Sequence, residues 1–248
     1  PEDDNLAFEP NRYKTAEALL TDPAELGKYS LIFINCGEDD PEPLLKQSAV
    51  RDNIRRYVEL GGKIYVTDKS YDFLEAAFPE FLDFLGSEGT AANMVEVPNA
   101  AEAGEAILTV DAVVKEDLLG EWLDRMSVNR GLVDDCSTRQ SKDNVNAVTG
   151  ARQEDGTLLV GDFASGWAVA EGVHEGRTDA VKTWVEGEAV FYRAASPGLP
   201  VTKLVPLVMT FEFGQGRVLF TSYHTSAGCS STGFWPQERV LQYLLFAI

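Results

Sequence analysis

The stretch Val58 to Asp72, "VELGGKIYVTDKSYD", carries the end of a helix into a buried strand and a tight turn, and its reading decides the fold. Gly61 and Gly62 close the helix, and "KIYVTD" is an apolar run of strand length. Thr67, Asp68, Lys69 and Ser70 then turn the chain toward a second helix. A turn from strand to helix is where many α/β enzymes hold a nucleophile, so the chemistry at this turn is the central question.

Upstream, "SAVRDNIRRYVELGG" places Val50, Ile54, Tyr57 and Val58 at helical spacing, with Ser48 available as N-cap. Before it, "SLIFINCG" from Ser30 to Gly37 is a continuous apolar run, the pattern of a parallel strand covered on both faces. Downstream, "YDFLEAAFPEFLDFLG" carries Leu74, Phe78, Phe81, Leu82 and Leu85 in one stripe, which predicts a helix that Pro79 kinks or divides. Strand, helix, strand, helix predicts a right-handed crossover and a mainly parallel sheet.

From about Met94 to Pro200 the character changes. "KEDLLGEWLDRM" predicts an amphipathic helix through Leu118, Leu119, Trp122, Leu123 and Met126. Around it lie short strand-like runs, "TLLVGDF", "GWAVAEG" and "DAVKTWVEGEAVFYR", and a polar loop from Val133 to Asn146. The last part is clearer again: "LVPLVMTFEFGQGRVLFTSYHTS" is a hairpin about Gly-Gln-Gly, and "WPQERVLQYLLFAI" is a closing helix with Pro236 in its first turn. The expectation is one domain over 1–248, its sheet built from both ends of the chain, with a β-rich insertion over 95–200.

At 248 residues and 44% hydrophobic content the chain can bury a full core. Its 21 basic and 40 acidic residues give a net charge of -19, which repels phosphate backbones and anionic lipid surfaces. Nucleic acid is therefore not an expected partner, and no apolar run is long enough for membrane insertion. The opening "PEDDN" without Met reads as a processed or trimmed chain. Cys36, Cys136 and Cys229 form no CxxC pair, and with only His174 and His224 beside them no structural metal site and no cofactor are expected. Cys136 and Cys229 lie in polar, loop-like surroundings; a disulfide between them, with Cys36 free, is the expected pairing and implies an exported chain.

Taken in order, "LIFINCG", "VELGGKIYVTDKSYD" and "GQGRVLFTSYHTS" resemble the class I glutamine amidotransferase-like superfamily, especially its trehalose-utilisation-type branch. The resemblance covers about the first ninety and last fifty residues. It implies a flavodoxin-like three-layer α/β core with a mainly parallel sheet, to which the antiparallel insertion is added. It also implies a nucleophilic cysteine at the turn after the second strand, where this chain has Lys69, and a catalytic histidine, which His224 matches. The acidic residue expected two positions beyond that histidine is replaced by Ser226. With the nucleophile and the orienting acid both missing, glutamine hydrolysis by that mechanism is not expected.

The candidate residues carry ordinary readings beside the chemical ones. Ser70 is a nucleophile if His224 lies within reach, or else the cap of the helix that begins near Tyr71. Lys69, flanked by Asp68 and Asp72, reads as a solvent-facing or ion-paired ammonium rather than a nucleophile. Cys36 ends a strand at the edge where ligands bind in open α/β sheets, but Glu38, Asp39 and Asp40 would raise its thiol pKa. His224 is a base, a metal ligand or a hydrogen-bond donor, with Asp68 and Asp72 as the carboxylates that metal binding would require. The reading taken forward is a non-catalytic, amidotransferase-like domain that binds a small molecule or a protein through Asn35, Gly37, Asp68, Lys69, Ser70 and His224. The alternative is a hydrolase that uses His224 with Ser70, Cys36 or a bound metal.

Overall fold

The computed structural model describes residues 16–36, 41–84, 101–129, 147–163, 167–192, 198–224 and 234–247. Its helices are α1 (Ala16–Leu20), α2 (Pro23–Leu26), α3 (Glu42–Leu45), α4 (Ser48–Glu59), α5 (Asp72–Ala77), α6 (Asp117–Arg125) and α7 (Pro236–Ala247). Its strands are β1 (Leu31–Ile34), β2 (Lys63–Thr67), β3 (Leu82–Phe84), β4 (Ile107–Val114), β5 (Ser127–Asn129), β6 (Ala147–Thr149), β7 (Leu158–Phe163), β8 (Ala170–Val173), β9 (Val181–Tyr192), β10 (Pro200–Phe213) and β11 (Gly216–Thr221).

One seven-stranded sheet runs in the order β1-β2-β11-β10-β9-β4-β7. β1, β2 and β11 are parallel, and every pairing from β11 outward to β7 is antiparallel. The sheet is therefore mixed, which corrects the mainly parallel one expected. The physical reason lies in the hairpin: β10 returns through the Gly214–Gln215 turn and reverses the chain direction, and β9 and β4 then extend the sheet antiparallel to it. The strands β4, β7 and β9, all within the 95–200 segment, are continuous with the sheet rather than set apart from it.

Alternation along the central strands sends side chains into two cores. Ile64 and Val66 of β2 and Val218 and Phe220 of β11 join the core beneath α4 and α5. Tyr65 and Leu219, one position out of phase, join the core with Leu119 and Leu123 of α6 and Val240 and Leu244 of α7. Helices thus cover both faces of a mixed α/β sheet. Gly216, the first residue of β11, is required by close approach, since a Cβ there would lie 2.1 Å from the Val58 carbonyl oxygen at the end of α4.

The predicted core of α4 holds: Val50, Ile54, Tyr57 and Val58 are all buried. Its cap does not, because Gln47 occupies the capping position and no side chain caps the helix, with Ser48 already inside it. β1 is an edge strand with Phe33 48% exposed, not a strand covered on both faces. The helix expected over Tyr71–Gly86 ends at Ala77, and the chain beyond Pro79 becomes β3. Proline pushes the preceding Phe78 to φ -136°, ψ 50°, and β3 then pairs with β8 instead of resuming the helix. In α6, Leu119 and Leu123 are buried, whereas Leu118 is 70% exposed. The loop from Val133 to Asn146 lies outside the described residues. No helix among the described residues is long and apolar enough to cross a membrane.

Candidate functional site

Parallel strands deliver their carboxyl ends to one edge of a sheet, and here three strand ends converge there. β1 continues into Asn35 and Cys36, β2 into a 3₁₀ turn over Asp68–Tyr71, and β11 into Ser222, Tyr223 and His224. Two hydrogen bonds fasten the first two ends together. The Cys36 backbone N–H donates to Thr67 Oγ1 at 2.8 Å, and the Ser70 hydroxyl donates to the Asn35 carbonyl oxygen at 2.7 Å.

Asp68 stands at the centre. It is 2% exposed, and its φ of 46° makes it the only non-glycine residue with positive φ among the described residues. Aspartate tolerates this left-handed conformation better than most residues, though at a cost of about 1–3 kcal/mol that the surroundings must sustain. They do so through backbone from the 95–200 segment: Ala168 N–H donates to Asp68 Oδ1 at 2.7 Å. The other oxygen, Oδ2, accepts from Cys36 Sγ at 3.5 Å and lies 3.1 Å from His224 Nε2. Sulfur, carboxylate and imidazole donors therefore face one another within 4.8 Å.

This environment decides several of the expected roles. Burial, and then the Asp68 carboxylate, push the Cys36 thiol above its ordinary pKa, so little nucleophilic thiolate forms at neutral pH. The direction agrees with the sequence reading, with burial as the larger cause and Asp68 the next; Glu38, Asp39 and Asp40 lie outside the described residues. Ser70 is not the cap of α5, which has no side-chain cap; its hydroxyl donates to the Asn35 carbonyl oxygen instead. Lys69 is exposed, as expected of a turn lysine. The elbow conformation belongs to Asp68, one position before Lys69, where the resemblance would put the nucleophile.

The structure thus gathers Asn35, Cys36, Asp68, Ser70 and His224 at one edge, while Gly37 and the pair Cys136 and Cys229 lie outside the described residues. Asn35 takes part through its backbone carbonyl. Sequence reasoning missed Thr67 and the Ala168 N–H, both of which hold the site in shape. A threonine closing a strand beside the turn was a visible signal for the first; a backbone donor 100 residues away left none for the second.

A polar cluster supports the β11 end from below. Thr221 Oγ1 donates to the Tyr223 carbonyl oxygen at 2.9 Å, so the Tyr65 hydroxyl, 2.9 Å from Thr221 Oγ1, is the donor in that contact. These bonds fix the path of the chain just before His224.

No family model and no curated protein matches this chain. Several solved structures are similar to it, among them two from Salmonella. The cytoplasmic protein STM3548 from Salmonella typhimurium is 13% identical with a TM-score of 0.45, the match covering 93% of this chain and 77% of that one. The cytoplasmic protein STM1381 from Salmonella typhimurium LT2 is 12% identical with a TM-score of 0.34, covering 92% of this chain and 71% of the other. Both are named as cytoplasmic proteins, and the expectation of an exported chain, which rested on the Cys136–Cys229 pairing, is withdrawn.

Proposed function

We propose that this chain is a ligand-binding α/β domain of the amidotransferase-like, flavodoxin-like kind, in which the edge that would hold a nucleophile is rebuilt around a carboxylate. The observation that carries this reading is Asp68: a buried acid held at φ 46° at the end of a parallel strand, facing His224 and Cys36. Strain of this kind persists where the surroundings over-determine it, which is the habit of ligand sites. The parallel trio β1-β2-β11, with helices on both faces, supports the flavodoxin-like description.

Glutamine amidotransferase chemistry has no nucleophile at this elbow. A hydrolase built on His224 is the second reading, favoured by the 3.1 Å contact that lets Asp68 orient the imidazole. Of its three versions, Ser70 has a committed hydroxyl and Cys36 starts from a thiol pushed upward, which leaves a bound metal.

The test is a thermal-shift panel of small molecules, run in the presence of a chelator on the wild type and on Asp68→Asn. Asparagine keeps an oxygen acceptor for the Ala168 N–H and tolerates the same backbone while removing the charge. A ligand at a hundred times its Kd should stabilise the wild type by about 2.7 kcal/mol and raise its Tm, with the shift lost in the variant. A flat wild-type panel, or a shift that survives Asp68→Asn, overturns the reading.

A further inference from the structure

We propose that Cys36, Asp68 and His224 form a three-donor site for a thiophilic divalent cation of the zinc class. This rests on the reading of the carboxyl edge as a binding site and names the ligand.

Three features point to a cation. The first is donor chemistry: a thiol sulfur, a carboxylate oxygen and an imidazole nitrogen from three separate strand ends converge within 4.8 Å. Sulfur with imidazole selects the borderline-soft metals over magnesium or calcium, which take oxygen ligands. The second is spacing. Tetrahedral zinc with bonds of about 2.0–2.3 Å sets its ligand atoms about 3.3–3.6 Å apart. Here the two separations to the central Oδ2 are 3.5 Å from Sγ and 3.1 Å from Nε2, and Sγ and Nε2 lie within 4.8 Å of each other.

The third is the supporting shell. Ala168 N–H holds Asp68 Oδ1 at 2.7 Å, so the carboxylate presents Oδ2 to the other two donors. The Cys36 backbone is tied to Thr67 and the Asn35 carbonyl to Ser70, which fixes the loop that carries the sulfur. Metal ligands are oriented by contacts of this sort. Three protein donors also leave a fourth position for a small ligand, the arrangement of open rather than structural zinc sites. The rival explanation is a cluster bridged by protons alone.

Cobalt(II) titration of the chelator-stripped full chain separates the two. The expected result is stoichiometric binding, with intense tetrahedral d–d bands and a sulfur-to-cobalt charge-transfer band, all displaced by zinc. Cys36→Ser should abolish the charge-transfer band, and Asp68→Asn should weaken binding by about tenfold or more, since even loss of an outer-shell partner costs about 10–100-fold. Circular dichroism of each variant establishes that it is folded. A Cys136→Ser/Cys229→Ser variant should keep the band. Absence of cobalt binding, or a band that survives Cys36→Ser and vanishes in the Cys136→Ser/Cys229→Ser variant, overturns the assignment. If cobalt fails while the chelated ligand panel responds, the cation falls and the binding reading stands. If cobalt binds while that panel is flat, the cation site is upheld and the small-molecule reading falls.

Discussion

In the parallel half of the sheet, β1, β2 and β11 are four, five and six residues long, and each ends in a loop that brings a polar group to the same edge. In the antiparallel half, β9 and β10 run twelve and fourteen residues and pair along most of that length. Both halves bury alternating apolar side chains in the same two cores. The difference lies in where the strands end. Parallel strands point their carboxyl ends one way and collect chemistry there; antiparallel neighbours point opposite ways and form only a packed wall. Strain and convergent donors belong to the first half, and long ladders with tight packing to the second. Substitutions in the wall should therefore change stability while leaving the site's binding intact.

The largest expected effect is in the wall. Leu207 of β10 is fully buried and fills the space that Gly187 of β9 leaves open; a Cβ on Gly187 would lie 2.6 Å from Leu207 Cδ1 and 2.5 Å from Val110 Cγ1. Leu207→Ala should cost about 2–5 kcal/mol by urea denaturation, and Gly187→Val about 1–3 kcal/mol through overpacking. Gly187→Ala should cost less in the Leu207→Ala background than in the wild type, because one of its two clashes is removed while that with Val110 Cγ1 stays. Strict additivity of the two would show that these side chains do not share one packing site. Cobalt or ligand affinity that falls with Leu207→Ala, well below its melting temperature, would break the division between the halves.

A smaller effect is expected at the fastening between β1 and β2. Ser70→Ala removes the 2.7 Å bond to the Asn35 carbonyl and should cost about 0.5–1.5 kcal/mol. Because the hydroxyl is structural in this account, a fluorophosphonate probe should leave Ser70 unmodified. Labelling of Ser70, lost in Ser70→Ala, would restore the serine hydrolase reading and set the comparison in different terms.

Local signals carried much of the fold. The spacing of Val50, Ile54, Tyr57 and Val58 and the Gly-Gln-Gly hairpin are short-range patterns, and the structure follows both. The strand order was not legible, because it depends on which long-range neighbours β9 and β10 choose. β3 failed for a related reason: Phe81 and Leu82 suit a helical stripe, and only β8 across the chain makes strand pairing the better outcome. At the site, the strand ends pointed to Cys36, Asp68, Ser70 and His224, while their roles hung on partners far away in sequence. Ser70 looked like a cap until Asn35 supplied an acceptor, and Asp68 looked ordinary until Ala168 held it.

The smallest expected effect concerns how the parallel half keeps its helical cover. Arg55 of α4 forms two hydrogen bonds with Glu80, at 2.9 and 3.1 Å, and a third at 2.5 Å with the Ala77 carbonyl oxygen at the end of α5. Its guanidinium also lies over the Phe213 ring at 4.4 Å. Burial is the largest single influence and raises the Glu80 carboxyl, but the Arg55 hydrogen bonds, a backbone hydrogen bond and the Arg55 and Arg177 charges together outweigh it and hold the group below the usual carboxylate range. A depressed folded value means stability that is fully present above the unfolded pKa of about 4.3 and lost as pH falls through the folded value. Both side chains are near one-third exposed, 33% and 29%, so solvent screening limits the effect. Glu80→Gln should cost about 0.5–1 kcal/mol at pH 7. The gap between wild type and variant should close below pH 4, since protonated Glu80 and glutamine are then alike in charge. A gap that stays constant down to pH 3 would assign the cost to lost packing rather than charge. The cover of the parallel half would then be held by the same apolar contacts as the wall.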